Sequence, residues 1–425
     1  MLVKKIKLLF GPIADFIHLA AQLADQKGLP VYAVGGFVRD LLLEADHLDV
    51  DLVVEGDGIA FAVECGRHFG ARLIAHRRFG TATLLGVPGV KADIASARKE
   101  IYEKPAALPT VFQGTIKDDL FRRDFTINAM AVRINRAYFG ELIDFYGGQK
   151  DLKAKRVRAL HPLSFIDDPT RIVRAVRFEQ RLNFKIEKDT LDWIRRAVER
   201  KMLQSVQKHR LRDELLLIFK EPAPLKALKR LHELCGFTAI APLRFQKNWP
   251  ALFEAARQRI AWFQAQMTPK RHLESYTVYL SLFFFPLGLK DLRRAIGDFA
   301  FHKSESSRIL ALKTHFEKIN RHLAQKKCKP SSVYRCLESL SYETILAIAV
   351  LSRSRWARQR IEDFFLKHHG HRLGVRGEDL RNFGIPPGPR YKNILQELLY
   401  AKIDGKITSK EEELRLAQKI AQRAW

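Results

Sequence analysis

Cysteine is scarce in this chain: Cys65, Cys235, Cys328 and Cys336 are the only four in 425 residues. They lie far apart and form no Cys-x-x-Cys pair, which excludes a disulfide framework and a cysteine-based zinc site and sets the expectation of a reducing cytoplasm. Long hydrophobic runs are missing too. The longest nearly apolar stretch, Tyr276 to Leu289, contains Pro286 and falls short of the ~20 residues that span a bilayer. Met1 to Pro12 carries three lysines and a brief apolar stretch, but no small-residue cleavage site follows. The expectation is a protein that is neither secreted nor membrane-spanning, with no membrane partner. There is no fixed-period repeat and no low-complexity tract.

What is abundant is positive charge. The chain has 74 Lys+Arg against 47 Asp+Glu, a net charge of +27, with 47% hydrophobic and 28% charged residues. That balance fits a globular chain of two to four domains. The excess is uneven. Residues 1–150 hold 19 basic and 18 acidic side chains, whereas residues 151–425 hold 55 and 29. A near-neutral front joined to a strongly basic remainder points to chemistry in the first part and a polyanion-binding surface in the second.

The periodicity divides the same way. Ile13–Gln26, Val38–Leu43 and Gly58–Gly70 have helical spacing. Pro30–Val34, His47–Val54, Arg72–Ala75, Gly80–Val87 and Val90–Ala97 read as strands, the last two joined by a Pro88-Gly89 turn. Beyond about residue 165 the pattern is amphipathic helix, as in Pro169–Arg181, Lys188–Ala197, Ser205–Phe219, Pro224–Leu231 and Ser341–Leu351. Pro222, Pro242, Pro250, Pro269 and Pro330 mark joints. An α/β head precedes an all-helical remainder.

Two short segments carry the chemistry of the head. In Leu48-Asp49-Val50-Asp51-Leu52 the two carboxylates are two residues apart on a strand, so they share a face and can meet a divalent ion. Hard oxygen ligands completed by water and phosphate suit Mg²⁺. Ten residues upstream, Gly35-Gly36-Phe37-Val38-Arg39-Asp40 follows a strand and opens a helix. Paired glycines let the backbone close on a triphosphate, the helix start offers free N–H groups, and Arg39 reaches a phosphate oxygen. Either segment alone would be an ordinary surface feature; their succession favours the phosphate reading.

Gly-Gly-x-Val-Arg-Asp followed by a strand with Asp-x-Asp resembles the nucleotidyltransferase head of the polymerase-β superfamily, in particular class II (bacterial-type) tRNA nucleotidyltransferases and the related bacterial poly(A) polymerases. The resemblance covers residues ~30–220 well and the tail loosely. It implies an α/β nucleotidyltransferase (polymerase-β-like) head followed by an all-helical neck, body and tail. The expected boundaries are 1–150 for the head, 151–220 for the neck, 221–330 for the body and 331–425 for a tRNA-binding tail. It also implies two-metal phosphoryl transfer with Mg²⁺ on Asp49 and Asp51, and a third catalytic carboxylate from a neighbouring strand, for which Asp93 is the candidate.

Further motifs come in the family's order. Asp118 to Met130 resembles its Arg-Arg-Asp motif: Arg123 supplies a fork for phosphate, and Asp124 or Asn128 can bond a ribose hydroxyl. Arg98 to Pro109 reads as a movable loop, with Arg98 and Glu100 as the basic/acidic pair associated in this family with terminal A addition, which disfavours a CC-only enzyme. Gly147 and Gly148 resemble the hinge between head and neck. Asp167-Asp168-Pro169-Thr170-Arg171 resembles the Glu-Asp-x-x-Arg element that reads the incoming base, with Asp167 where Glu is usual. By that resemblance Asp168 accepts from the exocyclic amino group, Arg171 donates to the ring nitrogen, and Arg174 and Arg177 reach the triphosphate. In Gln207 to Leu215, which resembles the next family helix, Arg210 and Glu214 are four apart and read as a structural ion pair.

In the tail, the aromatics Trp249, Trp262, Phe283–Phe285, Trp356 and Tyr391 read mainly as helical core, and Gly388-Pro389-Arg390-Tyr391-Lys392 as the best candidate for an RNA phosphate contact. His368-His369-Gly370-His371 reads as a basic surface loop. No His-Asp dipeptide occurs, so the metal phosphohydrolase domain of some relatives is not expected. The leading expectation is an enzyme that adds CCA to tRNA from CTP and ATP, without an obligatory protein partner. An A-adding enzyme working beside a CC-adding one, a poly(A) polymerase suggested by Arg77-Arg78-Phe79, and a non-catalytic RNA-binding protein are the competing readings.

Overall fold

A computed structural model describes residues 11–45, 49–267 and 271–422. His47 and Leu48 of the expected His47–Val54 strand, the joint at Pro269 and most of the Met1–Pro12 stretch lie outside the described residues.

The head is built on a mixed seven-stranded sheet of β1 (Val31–Val34), β2 (Val50–Val54), β3 (Arg72–His76), β4 (Thr81–Leu85), β5 (Ala92–Ser96), β8 (Ala131–Arg133) and β9 (Leu142–Ile143), in the order β3-β4-β5-β2-β1-β8-β9. The β2–β5 pair is parallel and the other neighbours are antiparallel. Alternation sorts the faces. Val50, Leu52 and Val54 of β2, with Ala92 and Ile94 of β5, pack under the Pro12–Gln26 and Gly58–Phe69 helices. Asp51 and Asp93 therefore point to the opposite face, and the parallel register sets them directly side by side. The sheet contributes β2 from Val50 onward, so Asp49 precedes the strand rather than lying inside it.

The expected Arg98–Pro109 loop is largely a hairpin. Between Arg98 and Gln113 the chain forms β6 (Arg98–Ile101) and β7 (Thr110–Gln113), paired antiparallel with Arg98 opposite Gln113. The remainder of this unit is helical apart from a two-residue parallel pair, β10 (Arg156–Val157) with β11 (Lys185–Ile186). The helix Thr170–Arg181 buries Ile172, Val173, Ala175, Val176 and Phe178, and Arg171 and Arg177 with them. The expected Ser205–Phe219 helix is split: a short turn, Met202–Ser205, is followed by Lys208–Lys220.

The chain divides into two compact units, one formed by residues up to Glu214 together with Lys226–Ile240, the other by Leu215–Leu225 and everything from Ala241 on. The second unit is helical. Its centre is the helix Ser275–Phe284, buried over eight consecutive residues from Thr277 to Phe284. The apolar run noted in the sequence is thus a core helix. Trp249 packs at a tilt against Phe283 of this helix with centroids 5.0 Å apart, and Phe284 packs edge-on to Phe299. Trp356, by contrast, is exposed. Among the described residues no helix is long and apolar enough to cross a membrane.

One close approach fixes the sheet against its covering helix. Gly58 opens the Gly58–Phe69 helix and donates its N–H to Ser96 Oγ at 2.9 Å, and a Cβ there would collide with the Ala95–Ser96 backbone of β5. Gly58→Ala is expected to cost about 1–3 kcal/mol of unfolding free energy. Gly288→Ala, where a Cβ meets open space, serves as the near-neutral comparison; urea melts followed by circular dichroism check both.

Candidate active site

Several strand ends and helix starts in the head bring candidate side chains to a common place. The turn after β1 holds Gly35 at φ 66°, and the Arg123 guanidinium lies against its α-carbon face, where a Cβ would overlap it. Glycine is required there by backbone conformation and by this contact together. Arg39, one turn into the Gly36–Leu42 helix, is almost fully buried; its Nε and Nη2 each bond the Asp40 carboxylate at 2.8 Å and its Nη1 donates to Asn128 Oδ1 at 2.5 Å.

Asp51 faces a cavity of about 560 Å³ whose wall also includes Gly36, Arg39, Arg123, Asp124, Asp168, Arg171, Arg174 and Arg177. The structure thus gathers nine of the twelve residues singled out in the sequence. Gly35 supports the wall through Arg123, Asp93 stands beside Asp51 on β5 and accepts from Thr83 Oγ1, and Asp49 is exposed, with Lys91 Nζ 3.1 Å from its Oδ2.

Burial pushes the Asp51 carboxyl up to about 6; the Arg123 guanidinium opposes that rise, while the neighbouring carboxylates of Asp93 and Asp49 add to it. Crowded carboxylates that repel one another, all hard oxygen donors, are a fit for a divalent cation. Among the described residues no three acidic, His or Cys side chains cage an ion by themselves. Mg²⁺ suits that arrangement, because it takes one or two carboxylates and fills its remaining positions with water and phosphate.

The Arg-Arg-Asp segment is organised by a residue the sequence reading did not single out. Asp119 is fully buried in the Ile116–Phe121 helix and binds both neighbours: Oδ1 takes Arg122 Nη2 at 2.6 Å, and Oδ2 takes Arg123 Nη2 at 2.9 Å. Its place three and four residues before two arginines at a helix end was the available signal. Arg122 also reaches Glu100 Oε1 at 3.2 Å, and Glu100 is held in turn by Arg98 at 2.8 Å and by Tyr102 Oη at 3.1 Å. The expected Arg98–Glu100 pair forms and is tied to the cavity floor.

Asp124 is saturated. Oδ1 accepts from the Phe125 N–H at 2.8 Å and Asn128 Nδ2 at 2.9 Å; Oδ2 accepts from Arg174 Nε at 2.8 Å and Nη2 at 2.7 Å. Burial would raise its pKa, but the Arg174 guanidinium and the Asn128 bond outweigh that and hold it at about 2. With its four acceptor sites engaged, Asp124 acts on Arg174 and Asn128.

Asp168 and Arg171, expected from the resemblance to read the base, are also fixed in place. Asp168 Oδ1 accepts from Thr170 N–H at 3.1 Å, Thr170 Oγ1 at 2.6 Å and Arg210 Nη2 at 2.9 Å. Arg171 donates to Ser164 Oγ and to the Arg122 carbonyl, each at 2.7 Å. This corrects one expectation: Arg210 and Glu214 do not pair with each other. Arg210 binds Asp168 and the Ala106 carbonyl, while Glu214 binds Arg174 at 3.0 Å, with Arg177 at 3.9 Å. The guanidinium carbons of Arg39, Arg174 and Arg177 surround the Phe178 ring at 5.1, 5.7 and 4.8 Å from its centroid. Away from this cavity, the tail candidate Arg390 donates to the Ala421 carbonyl at 2.5 Å and Tyr391 to that of Ile385 at 2.8 Å, so both side chains serve the local fold.

Because the folded-state pKa of Asp124 lies below its unfolded value of ~3.9, its contribution is complete above about pH 4 and is lost as pH falls toward 2. Asp124→Asn is expected to cost about 2 kcal/mol at pH 7. The gap between variant and wild type should close between pH 4 and pH 2 in denaturant melts; a gap that does not depend on pH would refute the ion pair.

Residues 31–158 match the family described as the poly A polymerase head domain, and residues 183–243 match one described as a probable RNA- and SrmB-binding site of polymerase A. An A-adding tRNA nucleotidyltransferase of Geobacter sulfurreducens is 37% identical over 419 residues, 97% of this chain and 48% of the relative, so the chain spans about half the length of that protein. An A-adding tRNA nucleotidyltransferase of Halalkalibacterium halodurans is 31% identical over 418 residues, 96% of this chain and 93% of the relative. The solved Thermotoga maritima CCA-adding enzyme complexed with tRNA-CCA superposes with a TM-score of 0.72 at 32% identity, covering 99% of this chain and 98% of that one. With that identity sustained along nearly the whole of both sequences, the chain belongs to the tRNA nucleotidyltransferase family.

Proposed function

We propose that this protein extends the 3′ end of tRNA from nucleoside triphosphates without a nucleic-acid template, adding C, C and A from CTP and ATP. The observation that carries the reading is the convergence of Asp51, Arg123 and the Asp168–Arg171 pair on one cavity of about 560 Å³, a volume suited to a single nucleotide.

Within that cavity the parts divide. The Gly36 backbone, Arg39 and Arg123 hold the triphosphate. Arg174 and Arg177 line its path, kept in place by Asp124 and Glu214. Asp168 and Arg171 meet the base edge. Cytosine and adenine both present an amino group beside a ring acceptor, which matches an acceptor–donor pair; uracil and guanine present the reverse. Facing like groups across a buried edge costs on the order of 10³-fold in discrimination. Asp49 and Asp51, with Asp93 beside them, would hold Mg²⁺. Bound there, the metal would lower the barrier to attack by the RNA 3′-hydroxyl on the α-phosphate and steady the leaving pyrophosphate.

The basic residues 151–425, taken as neck (151–220), body (221–330) and tail (331–425), would recognise tRNA by shape and phosphates rather than by sequence, in a cytoplasmic setting. A second reading, addition of the terminal A alone, is favoured by the names of the Geobacter and Halalkalibacterium relatives.

Purified protein offered tRNAs ending at the discriminator base, at C and at CC, with labelled CTP and ATP, separates these readings. Label from CTP on the first substrate is the expected result. A alone, on the CC-ended substrate alone, would replace the first reading with the second, and long A tracts on unrelated RNA would mean a poly(A) polymerase. In the same assay Asp51→Ala is expected to abolish turnover and leave tRNA affinity within about twofold, since phosphate contacts elsewhere dominate binding; lost affinity with activity retained would contradict the role given to Asp51.

A further inference from the structure

The Arg77-Arg78-Phe79 motif has no part in the scheme above, yet the fold brings its Phe79 to the cavity, with Arg77 and Arg78 exposed beside it. It forms a single 3₁₀ turn between β3 and β4. The β4–β5 register places Thr83 opposite Asp93 and Thr81 opposite Ala95, so the turn lies beyond Asp93 along the same edge of the sheet. At ~3.3 Å per residue the four positions from Thr83 to Phe79 span at most about 13 Å, which sets the reach from the carboxylate row to the turn. The half-buried Phe79 ring lines the cavity that contains Asp51.

The turn is anchored. Arg98 Nη1 donates to the Phe79 carbonyl at 2.9 Å, and Arg98 is itself held by Glu100. The guanidinium carbons of Arg78 and Arg98 stand 5.6 and 5.9 Å from the Phe79 centroid. Of the other two rings of the wall, Phe178 has three guanidinium groups around it against two at Phe79, and Tyr102 donates its hydroxyl to Glu100.

The reaction needs a second base nearby. The incoming nucleotide's edge is taken by Asp168 and Arg171, but the RNA must also bring its 3′-hydroxyl to Asp51, and its terminal base then lies about one nucleotide's breadth away. We propose that Phe79 is the stacking platform for the 3′-terminal base of the RNA acceptor, with Arg78 placed for the adjoining phosphate; this rests on the nucleotidyltransferase reading. Stacking tolerates any base, which suits an acceptor whose last residue changes with each addition.

The test uses the full chain with Phe79→Leu, which keeps apolar bulk and loses the π-face, and Phe79→Tyr, which keeps it. An acceptor-stem RNA ending in 2-aminopurine should lose fluorescence on binding wild type and Phe79→Tyr and retain it with Phe79→Leu. In turnover, Phe79→Leu should raise KM for the RNA roughly tenfold, the usual worth of one base–aromatic stack, with KM for ATP unchanged. Equal quenching by Phe79→Leu and wild type overturns the proposal. So does a raised KM for ATP with the RNA unaffected, which would give the ring to the incoming base. Quenching is read without nucleotide or metal, so a wild type that quenches but adds no nucleotide would overturn the functional reading alone.

Discussion

A single buried carboxylate keeps the site in register. Asp124 takes Arg174 from the Thr170–Arg181 helix with one oxygen and Asn128 with the other, and Asn128 passes the connection to Arg39 on the helix that follows β1. The residues proposed to hold phosphates and the helix proposed to read the base are thereby joined through three side chains. None has slack, because each is nearly sealed from water or, for Arg174, doubly bound. A buried ion pair of this kind adds little stability over a hydrophobic substitute, but breaking one side leaves an uncompensated charge. Its value here is geometric: it fixes where Arg174 and Arg39 stand before any ligand arrives.

A second network ties the β6–β7 hairpin to Asp168 and Arg171, the residues proposed to read the base. Glu100 binds Arg122, the Arg122 carbonyl accepts from Arg171, and the hairpin's Ala106 carbonyl accepts from Arg210, which also binds Asp168. Asp168 and Arg171 therefore each have a partner that also touches the hairpin, so the hairpin and the pair are braced against each other. The hairpin also places Leu108 and Pro109 in the cavity wall.

Much of this was legible in the sequence because it depends on local periodicity. Two-residue spacing put Asp51 on a defined face, helical spacing put Arg171, Arg174 and Arg177 on one side of their helix, and Gly35 marked a turn that only a positive φ satisfies. The errors arose where tertiary partners outbid local ones. Arg210 and Glu214 have the spacing of a helical ion pair worth only ~0.2–0.5 kcal/mol, and each finds a more enclosed partner elsewhere. The hairpin was read as a loop because its strands carry Arg98, Lys99 and Glu100, so no apolar alternation announced them. Asp119 was not singled out in the sequence, and only the folded chain shows it fully buried against two arginines.

The charge of the cavity then limits what it can hold. Nine arginines line it against four carboxylates. Behind the wall Asp40, Asp119 and Glu214 each neutralise part of that excess by binding Arg39, Arg122 with Arg123, and Arg174. What remains is a net cationic wall, with Asp51 in it and Asp93 beside Asp51 on the neighbouring strand. A neutral ligand would leave both charge groups uncompensated, and a bare polyphosphate would be repelled by the carboxylates. A polyphosphate carrying a divalent cation presents anionic oxygens to the arginines and the metal to the acids, and so satisfies both at once. Asp51 and Asp124 separate on the same grounds: burial raises Asp51 to about 6 because Arg123 only partly opposes it and Asp93 and Asp49 add to it, whereas for Asp124 the directly bound Arg174 and Asn128 outweigh burial and hold it at about 2.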